Sequence, residues 1–191
     1  MKILREVGIT ILIAVAVFVC LRLTVQSYTV VMSSMEPNFH DGECIMVNKV
    51  CYRSSGPQRG EVIVFDPPFD SPHPFIKRVI GLPGETVEIK DEKVFIDGIP
   101  LEEEYIMASP SYTMSATEVP ENEYLVLGDN RNSSNDSHNG WTVPRDNIIG
   151  KAWFTYWPPS KWKVVQHYSY PELNGAGEQE VMVSHSFGVA T

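Results

Sequence analysis

The sequence predicts an all-β, antiparallel domain carried behind one membrane-spanning helix, and three observations predict it. One uncharged apolar stretch, Val7 to Leu21, lies near the N-terminus and resumes after Arg22 as Leu23-Thr24-Val25. The chain after residue 27 is a series of short apolar or alternating runs without helical periodicity. Its 14 prolines and 13 glycines fall mostly between those runs. Strands at short spacing with no helices between them point to antiparallel pairing.

Taken in order, Val7 to Val25 makes a helix about 28 Å long, close to the hydrocarbon thickness of a bilayer. It is apolar on all faces, unlike a half-buried globular helix. Arg22 sits near one end, where its head can snorkel to the headgroups. Lys2 and Arg5 precede the segment, which predicts a cytoplasmic N-terminus and an outward-facing bulk. A cleaved signal peptide needs small residues after the apolar stretch. Leu21-Arg22-Leu23-Thr24-Val25-Gln26 is mostly bulky, so an uncleaved anchor over residues 1–27 is expected.

Strands follow at Tyr28 to Met32, Glu43 to Val50, Glu61 to Phe65, Phe75 to Ile80 and Thr86 to Lys90. Lys93 to Ile96 and Ile99 to Leu101 form a hairpin about the tight turn Asp97-Gly98. Glu123 to Leu127 leads into a polar loop, and Ile148 to Tyr156 is a last strong strand stopped by Pro158-Pro159. The β domain is expected over residues 28–165. Periodicity weakens from residue 166, which predicts a loose tail over 166–191.

A formal net charge of -9 and the lack of a basic run argue against a nucleic-acid partner. Glu102-Glu103-Glu104, Glu118 to Glu123 and the tail carry much of the acidity and read as solvated surface. Cys44 and Cys51 fall on opposite faces of a straight strand, about 23 Å apart, and should not pair. With Cys20 they read as small buried hydrophobes. No Cys/His spacing suits a metal, and no cofactor is implied.

Two residues carry the chemistry. Ser34 lies in Ser33-Ser34-Met35-Glu36-Pro37, and Lys77 in Phe75-Ile76-Lys77-Arg78-Val79-Ile80. A serine becomes a nucleophile when a base takes its proton, and a lysine is that base if held neutral. A free lysine titrates near 10.4, so under about 0.1% is neutral at pH 7. Phe75, Ile76, Val79 and Ile80 can desolvate it and lower that value. Strand alternation puts Lys77 and Val79 on one face, Ile76 and Arg78 on the other. The loop Gly128 to His138 is dense in hydrogen-bonding groups and suits a buried polar network.

Three segments together resemble the type I signal peptidases, the bacterial serine–lysine leader peptidases. They are Ser34-Met35-Glu36-Pro37 with Gly42 and Val47-Asn48-Lys49, then Lys77 to Glu85, then Gly128-Asp129-Asn130-Arg131 through Asp136-Ser137. The resemblance covers residues from roughly 7 to 160. The Asp-Ser-His ending and Tyr156-Trp157-Pro158-Pro159 look most like the cyanobacterial and thylakoid branch.

What the resemblance implies is specific. Ser34 would be the nucleophile and Lys77 the general base. Ser134 would hydrogen-bond the lysine, while Asp129, Arg131 and Asp136 brace the site and Arg78 pairs with Asp129. Val30, Met35, Phe75 and Ile76 would line shallow pockets for small residues of the substrate, the signal peptide of a secreted preprotein. The lipid bilayer would be the second partner. Departures are Asn38-Phe39 where the family usually has Thr-Leu, Met32 where some members have a serine oxyanion donor, and His138 where many have arginine. Another serine–lysine peptidase on a similar fold, or an inactive membrane-tethered β-domain that binds exported chains, is also compatible with the residues.

Overall fold

The computed structural model describes residues 2–173. Helix α1 spans Lys2–Thr24, and Arg5–Thr24 within it has a mean hydropathy of 2.5 with none of it buried. It is long and apolar enough to cross a bilayer. It passes without a loop into strand β1 (Val25–Thr29), and the Lys49 N–H donates to the Thr24 carbonyl at 2.9 Å across the junction. The strand starts earlier than the local pattern predicts. Register with the next strand, Val25 opposite Asn48 through Thr29 opposite Cys44, decides it.

The other strands are β2 (Cys44–Asn48), β3 (Val62–Phe65), β4 (Phe75–Gly81), β5 (Thr86–Lys90), β6 (Lys93–Ile96), β7 (Ile99–Pro100), β8 (Met114–Glu118), β9 (Glu123–Leu127), β10 (Val143–Pro144), β11 (Ile148–Trp157) and β12 (Lys163–Val164). Every pairing among them is antiparallel. The larger sheet runs β1-β2-β11-β3-β4-β9-β10, with β12 on β11; the smaller runs β7-β6-β5-β8. The all-β, antiparallel fold class behind one apolar helix is the one the sequence predicts.

Local pattern misses β8, β10 and β12. The segment Met114–Glu118 lacks apolar alternation and is exposed along most of its length. It is a strand because β5 offers an edge to pair with. The strands β10 and β12 are two residues each, and partners across the sheet define them. The hairpin turn falls at Asp97-Gly98, both with positive φ (49° and 82°), which glycine adopts without a Cβ clash.

Three apolar clusters build the core. Ile80, Val87, Ile89, Val94, Ile96 and Leu127 join the two sheets. Val30, Met35, Phe39, Ile45, Val47 and Val64 pack under the segment that follows β1. Ile63, Phe65, Val79, Val126 and Val143 cover the opposite face of the larger sheet.

Two expectations change. None of the cysteines is fully buried: Cys20 is exposed on α1, and Cys44 and Cys51 are half-buried and unpaired. A residue's own hydrophobicity does not decide its depth when it lies on a lone helix or at a strand end. The expected loose tail begins as packed chain. Tyr168 lies against Tyr105 with ring centroids 4.5 Å apart, and the buried Tyr170 hydroxyl is 2.7 Å from that of Tyr105. Two aromatic side chains supply the burial that weak periodicity concealed. Residues 174–191 of the expected tail lie outside the described residues.

Candidate active site

Strand β4 presents two cations to opposite faces of the larger sheet. Lys77 shares its face with Phe75 and Val79, and its Nζ lies 5.4 Å from the Phe75 ring centroid. The Nζ is 2.7 Å from Ser34 Oγ and donates to the Ile76 carbonyl at 2.9 Å. Burial, at 4% exposure, pushes Lys77 down to about 8, against the opposing pull of the Asp136 and Asp129 charges. A free lysine would be almost wholly charged at pH 7, whereas a group titrating near 8 is neutral in about a tenth of molecules.

Ser34 reaches that position on a short turning segment after β1. Glu36 N–H donates to the Ser33 carbonyl at 3.0 Å, and Phe39 N–H to the Met35 carbonyl at 2.9 Å. The apolar cluster holds the turn from below through the buried Met35, Phe39 and Val30. Ser34, and not its neighbour Ser33, is the hydroxyl that Lys77 meets.

The polar loop after β9 clamps this segment from above. Asn130 N–H donates to the Ser34 carbonyl at 3.0 Å, and Asn130 Nδ2 to the Ser33 carbonyl at 3.2 Å. Gly128 makes the approach feasible. A Cβ there would lie 2.5 Å from the Ser34 carbonyl oxygen and 2.3 Å from Ser134 Oγ. Substitution at Gly128 therefore pushes the loop off the serine.

Arg78 faces the other way. Its Nε and Nη2 donate to the two Asp129 oxygens at 2.8 and 2.7 Å, and Nη1 donates to the Gly60 carbonyl at 2.8 Å. The guanidinium lies 4.3 Å from the Tyr105 ring. Burial pulls Arg78 down, but the hydrogen bonds and charge of Asp129 outweigh it and hold it above the ordinary value.

Arg131 makes a second buried pair, its Nη1 and Nη2 donating to Glu103 at 2.6 and 2.7 Å. Glu103 was expected as solvated surface, yet its side chain is 4% exposed. The arginine drives the correction, since a buried guanidinium needs a carboxylate and Glu103 supplies it. Asp136 Oδ2 accepts the Gly128 N–H at 2.9 Å.

Ser134 departs from the role the resemblance implies. Its Oγ is buried beside Gly128 and makes no hydrogen bond among the described residues, so the expected bond to Lys77 is not formed here. The four expected pocket residues divide. Val30, Met35 and Ile76 gather in one cluster, Val30 and Met35 fully buried beneath the serine. Phe75 lies on the other face, edge-on to Phe65 and Phe69.

Sequence reasoning missed Asn38, Asn130, Glu103 and Tyr105. Asn38 Nδ2 donates both to Asp129 Oδ2 and to the Tyr105 carbonyl, each at 2.8 Å. The departure Asn38-Phe39 was visible, but its partners lie about 70 and 90 residues away, where no local spacing could reveal them.

A buried lysine amine on a serine hydroxyl, inside an all-β domain, suits a hydrolase. A family described as signal peptidase, peptidase S26, matches residues 4–157. The chain is 44% identical over 144 residues to a probable signal peptidase I-1 of Synechocystis sp., covering 72% of this chain and 74% of that one. It is 40% identical over 167 residues to a signal peptidase I of Leptolyngbya laminosa, covering 83% and 80%. It is 38% identical over 139 residues to thylakoidal processing peptidase 1, chloroplastic, of Arabidopsis thaliana, covering 68% of this chain and 41% of that one. The chain belongs to the signal peptidase family, peptidase S26, and is similar within it to cyanobacterial and thylakoidal members.

Proposed function

We propose that this enzyme removes signal peptides from secreted preproteins, cutting after a small residue at an Ala-x-Ala type site. The observation that carries the mechanism is the 2.7 Å approach of Lys77 Nζ to Ser34 Oγ in a site that pushes the amine down to about 8. Neutral Lys77 takes the Ser34 proton as Oγ adds to the scissile carbonyl carbon. Collapse of the tetrahedral intermediate breaks the C–N bond, and Lys77 passes its proton to the leaving amine. Water then attacks the acyl-enzyme with Lys77 again as base, which frees Ser34 and the new carboxylate.

The Ser34 backbone N–H is the oxyanion donor in this reading. Met32 cannot supply a second: its side chain has no donor, and its N–H is held by Asp41 Oδ1 at 2.8 Å. Ile76 would wall the substrate site above Val30 and Met35, and Phe75, on the Lys77 face, would flank it from the other side of the strand. Asp129, Arg131, Asp136 and Arg78 keep the loop and strand in place.

Helix α1 is proposed as a single-pass anchor, N-terminus in the cytoplasm and catalytic domain outside, because Lys2 and Arg5 precede it. Val31, Met32, Trp153, Trp157 and Trp162 are exposed large apolar residues of the domain, which suits contact with a bilayer surface. The test is direct. Detergent-solubilised protein and a preprotein with an Ala-x-Ala site should give one cut after the second alanine, lost in S34A and in K77A. Binding without cleavage by the wild type would identify an inactive tethered domain instead.

A further inference from the structure

His138 lies next to this machinery and has no part in it so far. Its Nδ1 is 2.7 Å from Asp136 Oδ1, and its backbone N–H reaches the same oxygen at 3.2 Å. An ionised carboxylate only accepts, so Nδ1 carries the proton. The ring is stacked on Tyr112, centroids 4.2 Å apart at 29°, and is 21% exposed, within reach of solvent protons. Asp136 is wholly buried. Its other oxygen holds Gly128 N–H, and Gly128 packs on the Ser34 carbonyl.

We propose that His138 is a positioning residue for the reaction: it acts through Asp136 to set how firmly the site holds Lys77 in its charged form, and its own protonation makes that setting respond to pH. The inference rests on the reading of Lys77 as the base.

The electrostatics give the sign. Asp136 is the foremost charge favouring the Lys77 ammonium, with Asp129 second. Asp129 is already matched by the Arg78 guanidinium at 2.7 Å. Among the described residues Asp136 has no such fixed cation, and its ion-pair partner is the imidazole. A neutral ring donating Nδ1–H leaves the carboxylate its full charge toward Lys77. An imidazolium makes the pair neutral overall and weakens that pull, so the amine can be neutral at lower pH. The charge on the imidazole is what makes this exchange respond to pH. From the element packed on the ring, Tyr112 brings its phenol, and the Arg131–Glu103 pair acts on that phenol with opposing charges.

The experiment measures initial cleavage rates of an Ala-x-Ala preprotein by the full solubilised chain from about pH 5 to about pH 10. Wild type, H138R and H138N are compared, with K77A as blank and thermal melts as the check of folding. H138R places a permanent cation on Asp136 and should move the ascending limb down by about half a pH unit or more. H138N keeps a neutral donor and should leave the limb near pH 8 in place. Along the ascending limb it should lose the full tenfold per pH unit, whereas the wild type falls less steeply. Superimposed profiles overturn the role of His138 and leave the dyad standing. If H138R does not fold, an H138N profile as shallow as the wild type overturns it. A K77A enzyme that cleaves at the wild-type rate overturns the dyad and the role of His138 with it.

Discussion

Lys77 and Arg78 are adjacent on β4, both cationic and both buried, and the site treats them in opposite ways. Arg78 meets a carboxylate on two prongs and a backbone carbonyl on a third, so its charge is matched. Lys77 meets a serine hydroxyl and a carbonyl, both neutral, and its charged form is disfavoured. The same depth therefore holds a matched cation on one face and an amine pushed down to about 8 on the other. An arginine stays charged at either position, whereas burial loosens the proton of a lysine whose direct partners are neutral. Strand parity supplies the separation, sending neighbours to opposite faces of the sheet.

The sharpest way to break this contrast is to make Lys77 resemble its neighbour. K77R cannot surrender its proton and should lose more than about 10³-fold in cleavage rate, measured on purified folded protein. Next in size, D129A leaves Arg78 charged, buried and unmatched, and should lower stability by about 3–5 kcal/mol in a denaturant titration.

The contrast can also be sharpened through pH. Because the folded Lys77 titrates near 8, activity should rise toward pH 8, by no more than about tenfold per unit, and level off above it. The same shift sets a stability effect. Below about pH 8 the amine is charged in both states, and burying it costs about 3 kcal/mol. Between about pH 8 and 10.5 the unfolded chain binds more protons, so stability rises with pH and the penalty fades. K77M should therefore be inactive yet more stable than wild type by up to about 3 kcal/mol at pH 7, with a smaller gain at pH 10. A K77M protein of unchanged or lower stability at pH 7 would show that burial is not what depresses the lysine.

The smallest effect belongs to Asn38, which donates to the same Asp129 oxygen that Arg78 Nη2 reaches. N38A removes one neutral donor and should cost about 1–2 kcal/mol in melting experiments while leaving the pH limb of cleavage near 8.

Much of this was legible in order along the chain. The apolar run at residues 7–25 and the alternation in Thr86–Lys90 are local signals, and they produced α1 and β5. The identities of Ser34 and Lys77 followed from residue types in short fixed contexts. What failed to show was non-local. β8 has no apolar period and exists through its partner β5. Glu103 looked like one of three surface acids until Arg131, 28 residues on, was found against it. Ser134 was expected to touch the lysine, yet its hydroxyl lies unpartnered beside Gly128.

The sequence by itself determined the long apolar helix, the β class, the family and the two side chains proposed to react, because periodicity and short motifs are properties of neighbouring residues. Tertiary structure alone decided that the Lys77 amine would be pushed down to about 8 and that the Arg78 charge would be matched by a carboxylate. That choice depends on which groups arrive from Ser34, Asp129 and Asp136, tens of residues away, and on water being excluded when they do. Proton affinity is set by surroundings, and those surroundings exist only once the chain is folded.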